Sequence, residues 1–390
     1  MTLKNTFIFS LLLLLFSCSE NLDIAENDYF LRLLGYNGQD QAVAIKTLSD
    51  DGILVAGNLN LVDTNRALFW SKLNKYGIEE WHHNWKEEDN QKMTDWLLKE
   101  NQILATGMVE QMGISQLAIW KMDLSSGKII DYNLPLASSQ ECSGQKLLNT
   151  TDGGLIIAGN FTDYSQTVRY EGMIFQRQNA AGEVVWETQN HQLEPFEQLI
   201  EAAEINDQFY FFGNVENKGE KYLRIAAING LGQVVYTKIF GNPGENIEAV
   251  SAEITENSVK FLATVGIGSN RRMVFREISL KAELINTKDL ANNGIEFAAD
   301  VCQDAQGNYF ILGNRVIDAR QTDCLLQKRD ANMNLIWEQT YGSEWQDEAN
   351  KLFLRSSGPG FLATVNFDNK NENANRKMAI YSLDQEGNLK

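Results

Sequence analysis

From residue 29 onward the apolar positions fall in short runs of period two, divided by Gly, Asn and Asp. No stretch beyond residue 20 keeps the 3.6-residue spacing of an amphipathic helix, so the pattern predicts strands and tight turns. QAVAIKTL (41–48), GILVAGNL (52–59), ALFWSKLN (67–74) and IEEWHHNW (78–85) set the type, four strands in succession. The second of them, with its turn, recurs: SDDGILVAGN (49–58), TDGGLIIAGN (151–160) and QGNYFILGN (306–314) are variants of one phrase.

The ends of that strand, Ala56-Gly57, Thr106-Gly107, Ala158-Gly159, Phe212-Gly213, Thr264-Val265, Leu312-Gly313 and Thr364-Val365, are spaced 50, 52, 54, 52, 48 and 52 residues apart. A second marker trails each of them: KLNKYG (72–77), KMDLSSG (121–127), RQNAAG (177–182), AINGLG (227–232), the degenerate EISLKAE (277–283), KRDANMN (328–334) and SLDQEG (382–387). These are strand ends running into Asx-rich turns, often with Gly where a positive φ is needed. An aromatic often follows in the next strand: Trp81, Trp186, Tyr236 and Trp337. Seven units of about 50 residues result, each a four-stranded antiparallel meander.

Such a meander cannot bury both faces alone, and packing the sheets radially about an axis solves this while protecting the edges. The expected fold is therefore all-β, a seven-bladed β-propeller. The last unit stops at GNLK, where a fourth strand would begin, while YFLRLLG (29–35) precedes the first unit as an extra strand. The amino-terminal strand is expected to complete the last blade and close the ring.

Composition agrees with a large globular body: 390 residues, 43% hydrophobic, 4 Pro and no low-complexity tract. The net charge of −18 repels phosphate backbones, so nucleic acid is not an expected partner. The first eighteen residues, MTLKNTFIFSLLLLLFSC, join Lys4 to an apolar run from Phe7 to Phe16 that is too short to span a bilayer core of roughly 30 Å and fits a signal peptide. Leu15-Phe16-Ser17-Cys18 resembles the bacterial lipobox. That resemblance implies lipidation of Cys18 by acyl chains such as palmitate and an outer-membrane lipoprotein, on the periplasmic or the outer side. SENLD (19–23) is similar to the acidic export signal of Bacteroidota surface lipoproteins. The expected organisation is a signal peptide over 1–17, a lipidated tether over 18–28 and one propeller domain over 29–390.

The repeat pattern resembles propeller-like repeat proteins of Bacteroidota, which share no catalytic residue. Its D-x-x-G-x-x-x-W portion, carried in part by Leu73 to Trp81 and by Arg329 to Trp337, is similar to the tryptophan-docking repeat of quinoprotein-type propellers. Among these is an eight-bladed lipoprotein scaffold of the outer-membrane β-barrel assembly machine.

Candidate chemistry is sparse. His82 and His83 are neighbours in a strand and point to opposite faces, and His191 ends another strand, so no metal site is expected from them. Cys302 and Cys324 fall on the first and third strands of one blade, beyond disulfide reach, so these and Cys142 are expected as buried or semi-buried thiols. No phosphate loop, nucleophile elbow, zincin or dinucleotide signature occurs. On that ground the protein is expected not to be an enzyme and to need no cofactor.

One constellation recurs by position. Asp40, Asp89, Glu141, Glu248, Glu296 and Glu348, with Asp347 alongside and Glu197 one step on, precede the innermost strands. A rim of carboxylates there could take Ca²⁺ or a basic partner. The aromatics Tyr36, Trp85, Phe196 and Trp345 lie in nearby loops and are candidate contacts for a protein or a sugar. The functional expectation is a lipid-anchored, non-enzymatic propeller binding an envelope protein or glycan. The alternatives are a scaffold subunit of an outer-membrane assembly complex and a carbohydrate-active enzyme using rim carboxylates.

Overall fold

The computed structural model describes residues 28–34, 41–60, 66–86, 90–134, 140–164, 170–290, 294–366 and 376–389. Cys18, Tyr36, Asp40 and Asp89 lie outside these residues, as do the signal peptide and most of the tether. The described chain forms seven sheets of four antiparallel strands. Six are built from four consecutive strands, and the seventh is completed by the amino-terminal strand Phe30–Leu34. Phe30 pairs with Ser382 and Leu34 with Met378, which places this strand outermost in the last blade, as the unmatched ends of the sequence require. No helix among the described residues is long and apolar enough to cross a membrane.

Burial explains why the middle strands do not alternate. Leu155 to Phe161 and Phe209 to Val215 are buried almost without a break, because each blade packs on both faces. The outermost strands are more exposed, and some alternate, as at Glu79–Trp85. The described residues group into seven apolar clusters, one at each blade–blade interface. The one between the last and first blades joins Phe30, Phe353, Leu362 and Ile380 to Ala42, Ile53 and Phe69. Phe212 and Phe261 meet at 5.2 Å across the fourth and fifth blades. Each such ring, fully buried, contributes on the order of 2–3 kcal/mol.

The innermost strands share one irregularity. Each carries a β-bulge at the same place: Val43, Thr94, Gln145, Ile200, Val250, Ala299 and Asn350. A bulge inserts one residue and turns two successive side chains to the same side, here the central channel. The residue just before it pairs with Gly57, Gly107, Gly159, Gly213, Ala263, Gly313 or Ala363 on the second strand. A Cβ at Gly107 would stand 1.9 Å from the Lys92 carbonyl oxygen, and one at Gly213 would stand 2.2 Å from that of Gln198. The recurrent small residue is the room the bulged strand needs. The sequence spacing misplaced this position in two blades: the equivalents are Ala263 and Ala363, two residues before Val265 and Val365, and the true steps are 50, 52, 54, 50, 50 and 50.

The Asn after that Gly joins neighbouring blades. Asn58 donates to the Met93 carbonyl at 3.0 Å and accepts from the Met93 amide at 2.8 Å. Asn214 does the same to Ala249, at 2.9 Å both ways. Asn314 accepts from the Ala349 amide, and Thr264 from that of Ala298. On the outer side, an aromatic of one blade covers a turn of the next. Trp81 lies over Gly127, Trp186 over Gly232, Trp337 over Gly387, and Phe30 closes the circle over Gly77. The Trp186 indole donates to the Gly230 carbonyl at 2.7 Å, and the Tyr236 hydroxyl to that of Leu280 at 2.8 Å.

Candidate functional site

The seven bulged strands enclose a channel. At one mouth it opens into a space of about 490 Å³ lined by Lys92, Gln198, Glu197, Glu248, Glu348 and Asn350 among others. Further in, a space of about 360 Å³ is lined by Lys46, Asp95, Trp96, Lys146, Glu201 and Lys351. The bulge explains who points inward. The bulge residue and the one after it share the channel side, so Asp95, Lys146, Glu201, Asp300 and Lys351 all stand at one level, just past the bulge.

The waist is charged and internally paired on one side. The Lys146 ammonium lies 3.7 Å from Asp95 and 3.9 Å from Glu201, and donates to the Ile200 carbonyl at 3.0 Å. Burial by itself would lower the Lys146 pKa, but Asp95 and Glu201 outweigh it and the pKa is raised. Asp95 also accepts from the Leu147 amide of the next blade at 2.9 Å, and Asp300 repeats this with Leu352 at 3.0 Å. Lys46 sits over the Trp96 ring at 4.9 Å, and burial pushes its pKa down despite the pull of Asp95.

The acidic residues expected at the rim do not form one ring. Glu248 and Glu348 stand two residues before the bulge and line the mouth. Glu197, just outside its strand, joins them. Lys221 bridges Glu248 at 2.8 Å and Glu197 at 3.7 Å. Glu296 and Asp347 stand three residues before, and one step along a strand turns a side chain to the other face. Both are buried, at 0% and 1% exposure. Glu296 binds Arg315 at 2.9 and 2.7 Å, and Arg315 also meets Glu338 at 2.8 Å. Burial raises the Glu296 pKa more than Arg315 lowers it. Asp347 accepts from the Ser343 amide. Glu141, farther out, accepts from the Tyr164 hydroxyl at 3.0 Å. Among the described residues no group of three His, Cys, Asp or Glu side chains is placed to hold a metal ion.

Two of the aromatics proposed as contacts are packing residues. Phe196 is 1% exposed and lies under the Arg224 guanidinium, and Trp85 packs at a tilt on Tyr132 at 5.0 Å and edge-on to Trp120 at 5.9 Å. Trp345 is half-buried, its carbonyl accepting from Thr322 at 3.3 Å. His82 pairs with Glu79 and His83 with the Ser126 carbonyl, on opposite faces, while His191 packs edge-on to Phe161. Cys142, Cys302 and Cys324 form no disulfide among the described residues, Cys142 and Cys324 being buried and Cys302 half-buried. Sequence reasoning missed the channel lysines, because a Lys in an alternating strand reads as a solvated face until the bulge is known.

No protein-family profile and no curated protein sequence matches the chain. Solved structures do. An ulvan lyase, a polysaccharide lyase solved with a saccharide of GlcA and Rha3S units, aligns with a TM-score of 0.55 at 12% identity over 91% of this chain and 97% of that one. The polysaccharide lyase Uly1 aligns with a TM-score of 0.54 at 7% identity over 90% of this chain and 91% of that one. Puromycin hydrolase aligns at 0.53 and 10% identity over 83% of this chain, which spans only 50% of the hydrolase. These likenesses correct one expectation. The lack of familiar signatures had argued against an enzyme, yet lyases and a hydrolase share this architecture, so the fold and the missing motifs do not exclude catalysis. At such identities the likeness establishes the fold: the chain is a seven-bladed β-propeller closed by its amino-terminal strand.

Proposed function

We propose that this chain is a lipid-anchored propeller of the cell envelope that binds a saccharide at the mouth of its channel. The observation that carries the reading is the mouth itself, a polar opening of about 490 Å³ edged by Lys92, Gln198, Glu248, Glu348 and Asn350. Rigid rings that display polar side chains around such an opening are a common solution for ligand binding. The two similar lyases act on polysaccharides, which supports a saccharide over a protein as the ligand. The lipobox-like Leu15 to Cys18 supplies the anchor, and the tether is short enough to keep the wheel near the membrane.

The test is a panel of neutral and acidic oligosaccharides titrated into the protein, with chain length followed in the same samples so that cleavage is read beside binding. Binding abolished by Gln198→Ala together with Asn350→Ala is the expected result. Saccharides that neither bind nor are cleaved, alongside a protein captured by a photo-crosslinker at Glu348 in intact cells, would replace the ligand with a protein partner. Labelling by palmitate, lost in Cys18→Ser, checks the anchor.

A further inference from the structure

The charges of the channel are compensated unequally. Asp95 and Glu201 lie beside Lys146, and Glu197 and Glu248 beside Lys221. Among the described residues Lys92, Lys351 and Lys46 make no ion pair and no hydrogen bond; Lys46 lies over the Trp96 ring and feels Asp95 only at longer range. All three line the channel. They stand on adjacent blades, the second, the seventh and the first.

Their levels differ in an ordered way. Lys92 is two residues before its bulge, Lys351 one residue after, and Lys46 three residues after. On the facing strands, where the bulge residue adds no level, these positions are two residues apart each time, about 7 Å and again about 7 Å along the channel. One wall therefore carries a descending column of ammonium groups, in a chain whose net charge is −18. Two channel-lining amides, on Gln145 and Gln198, are likewise without a hydrogen-bond partner among the described residues. Lys351 and Lys46 are half-buried while Lys92 is exposed at the mouth, and burying an ammonium without an ion-pair partner is costly. That cost is offset when a ligand brings the charge.

We propose that the wall formed by Lys92, Lys351 and Lys46 binds a linear, carboxylate-bearing saccharide, of the uronate class, running from the mouth towards the waist. The ammonium column takes the carboxylates, and the free Gln amides meet hydroxyl groups. This rests on the saccharide reading of the mouth and names its ligand class. An acidic peptide would satisfy the lysines but has few hydroxyls for the amides, so a uronate is the better match.

Calorimetric titration of the full chain decides it, using a galacturonate oligosaccharide, a neutral gluco-oligosaccharide of equal length, and poly-glutamate as the three probes. The galacturonate is expected to bind most tightly, more weakly as salt rises, with about tenfold loss for each of K92Q, K351Q and K46Q. K92Q changes an exposed side chain and so tests the wall without a risk to folding. Neutral and acidic sugars binding alike, with the lysine variants unchanged, would overturn the lysine wall and leave the mouth as a saccharide site. Tighter, lysine-dependent binding of poly-glutamate would overturn the uronate assignment. Failure of all three probes would overturn this proposal, while the oligosaccharide panel and the crosslinker still judge the mouth separately.

Discussion

The carboxamides that join blade to blade offer the sharpest test of how the ring holds together. Asn214 is 1% exposed, and both of its hydrogen bonds go to the backbone of Ala249 in the next blade. Asn214→Ala leaves a buried N–H and a buried C=O unpaired. Each orphan costs roughly 1–3 kcal/mol, so the substitution should destabilise by about 2–6 kcal/mol. Asn160 makes one bond of this kind, to the Phe196 carbonyl at 2.8 Å, and its own oxygen has no partner. Asn160→Ala should therefore cost about half as much. Urea denaturation followed by tryptophan fluorescence measures both, with the m-value as the check that the transition has not changed character. An Asn214→Ala midpoint equal to that of wild type would refute the reasoning, since it would mean that water or a small shift replaces the carboxamide at no cost. Equal losses at the two sites would refute the count of bonds as the source of the difference.

Other outcomes follow from the same geometry. Arg355 donates to the Ser382 hydroxyl at 2.6 Å, to the Asp28 carbonyl at 3.0 Å and to the Lys75 carbonyl, so it ties the closing strand to both the last and first blades. Arg355→Met should cost about 2–4 kcal/mol, and limited proteolysis should then cut near residues 28–34 before any other strand. Lys46 has a folded-state pKa below its unfolded one because burial disfavours the ammonium. Folding thus binds fewer protons in that window, and stability rises with pH between the folded pKa and the ordinary lysine value. Lys46→Met should raise the melting temperature at pH 7 and flatten that rise; an unchanged pH profile would show that the amine is well solvated. Burial likewise pushes the Cys302 and Cys324 thiols well up. A thiol reagent should therefore label neither, nor buried Cys142, until the protein unfolds.

Much of this protein is written locally. The turn residues, the period-two runs and the near-constant repeat length specify seven similar meanders, and the surplus strand at one end with the missing strand at the other specifies closure. The turns and strands are legible because each depends on neighbours a few residues away, and the blade count and closure follow from comparing one unit with the next. The Gly of the recurrent AGN phrase was legible as a signal but not as a reason. Its reason is a bulge on the facing strand, and pairing partners are invisible to a linear pattern. The same bulge decides the candidate site. It turned Asp95, Lys146 and Lys351 into the channel, and a single residue of offset sent Glu296 and Asp347 into the protein while Glu248 and Glu348 stayed at the mouth. The aromatic candidates diverged for a similar cause: Phe196 is buried beneath Arg224 and Trp85 is half-buried against Trp120 and Tyr132. Composition and periodicity thus determine which strands form and how many blades they build. Which face each side chain takes, and which lysines are left without an ion-pair partner, is decided only when seven strands from distant parts of the chain meet around one axis.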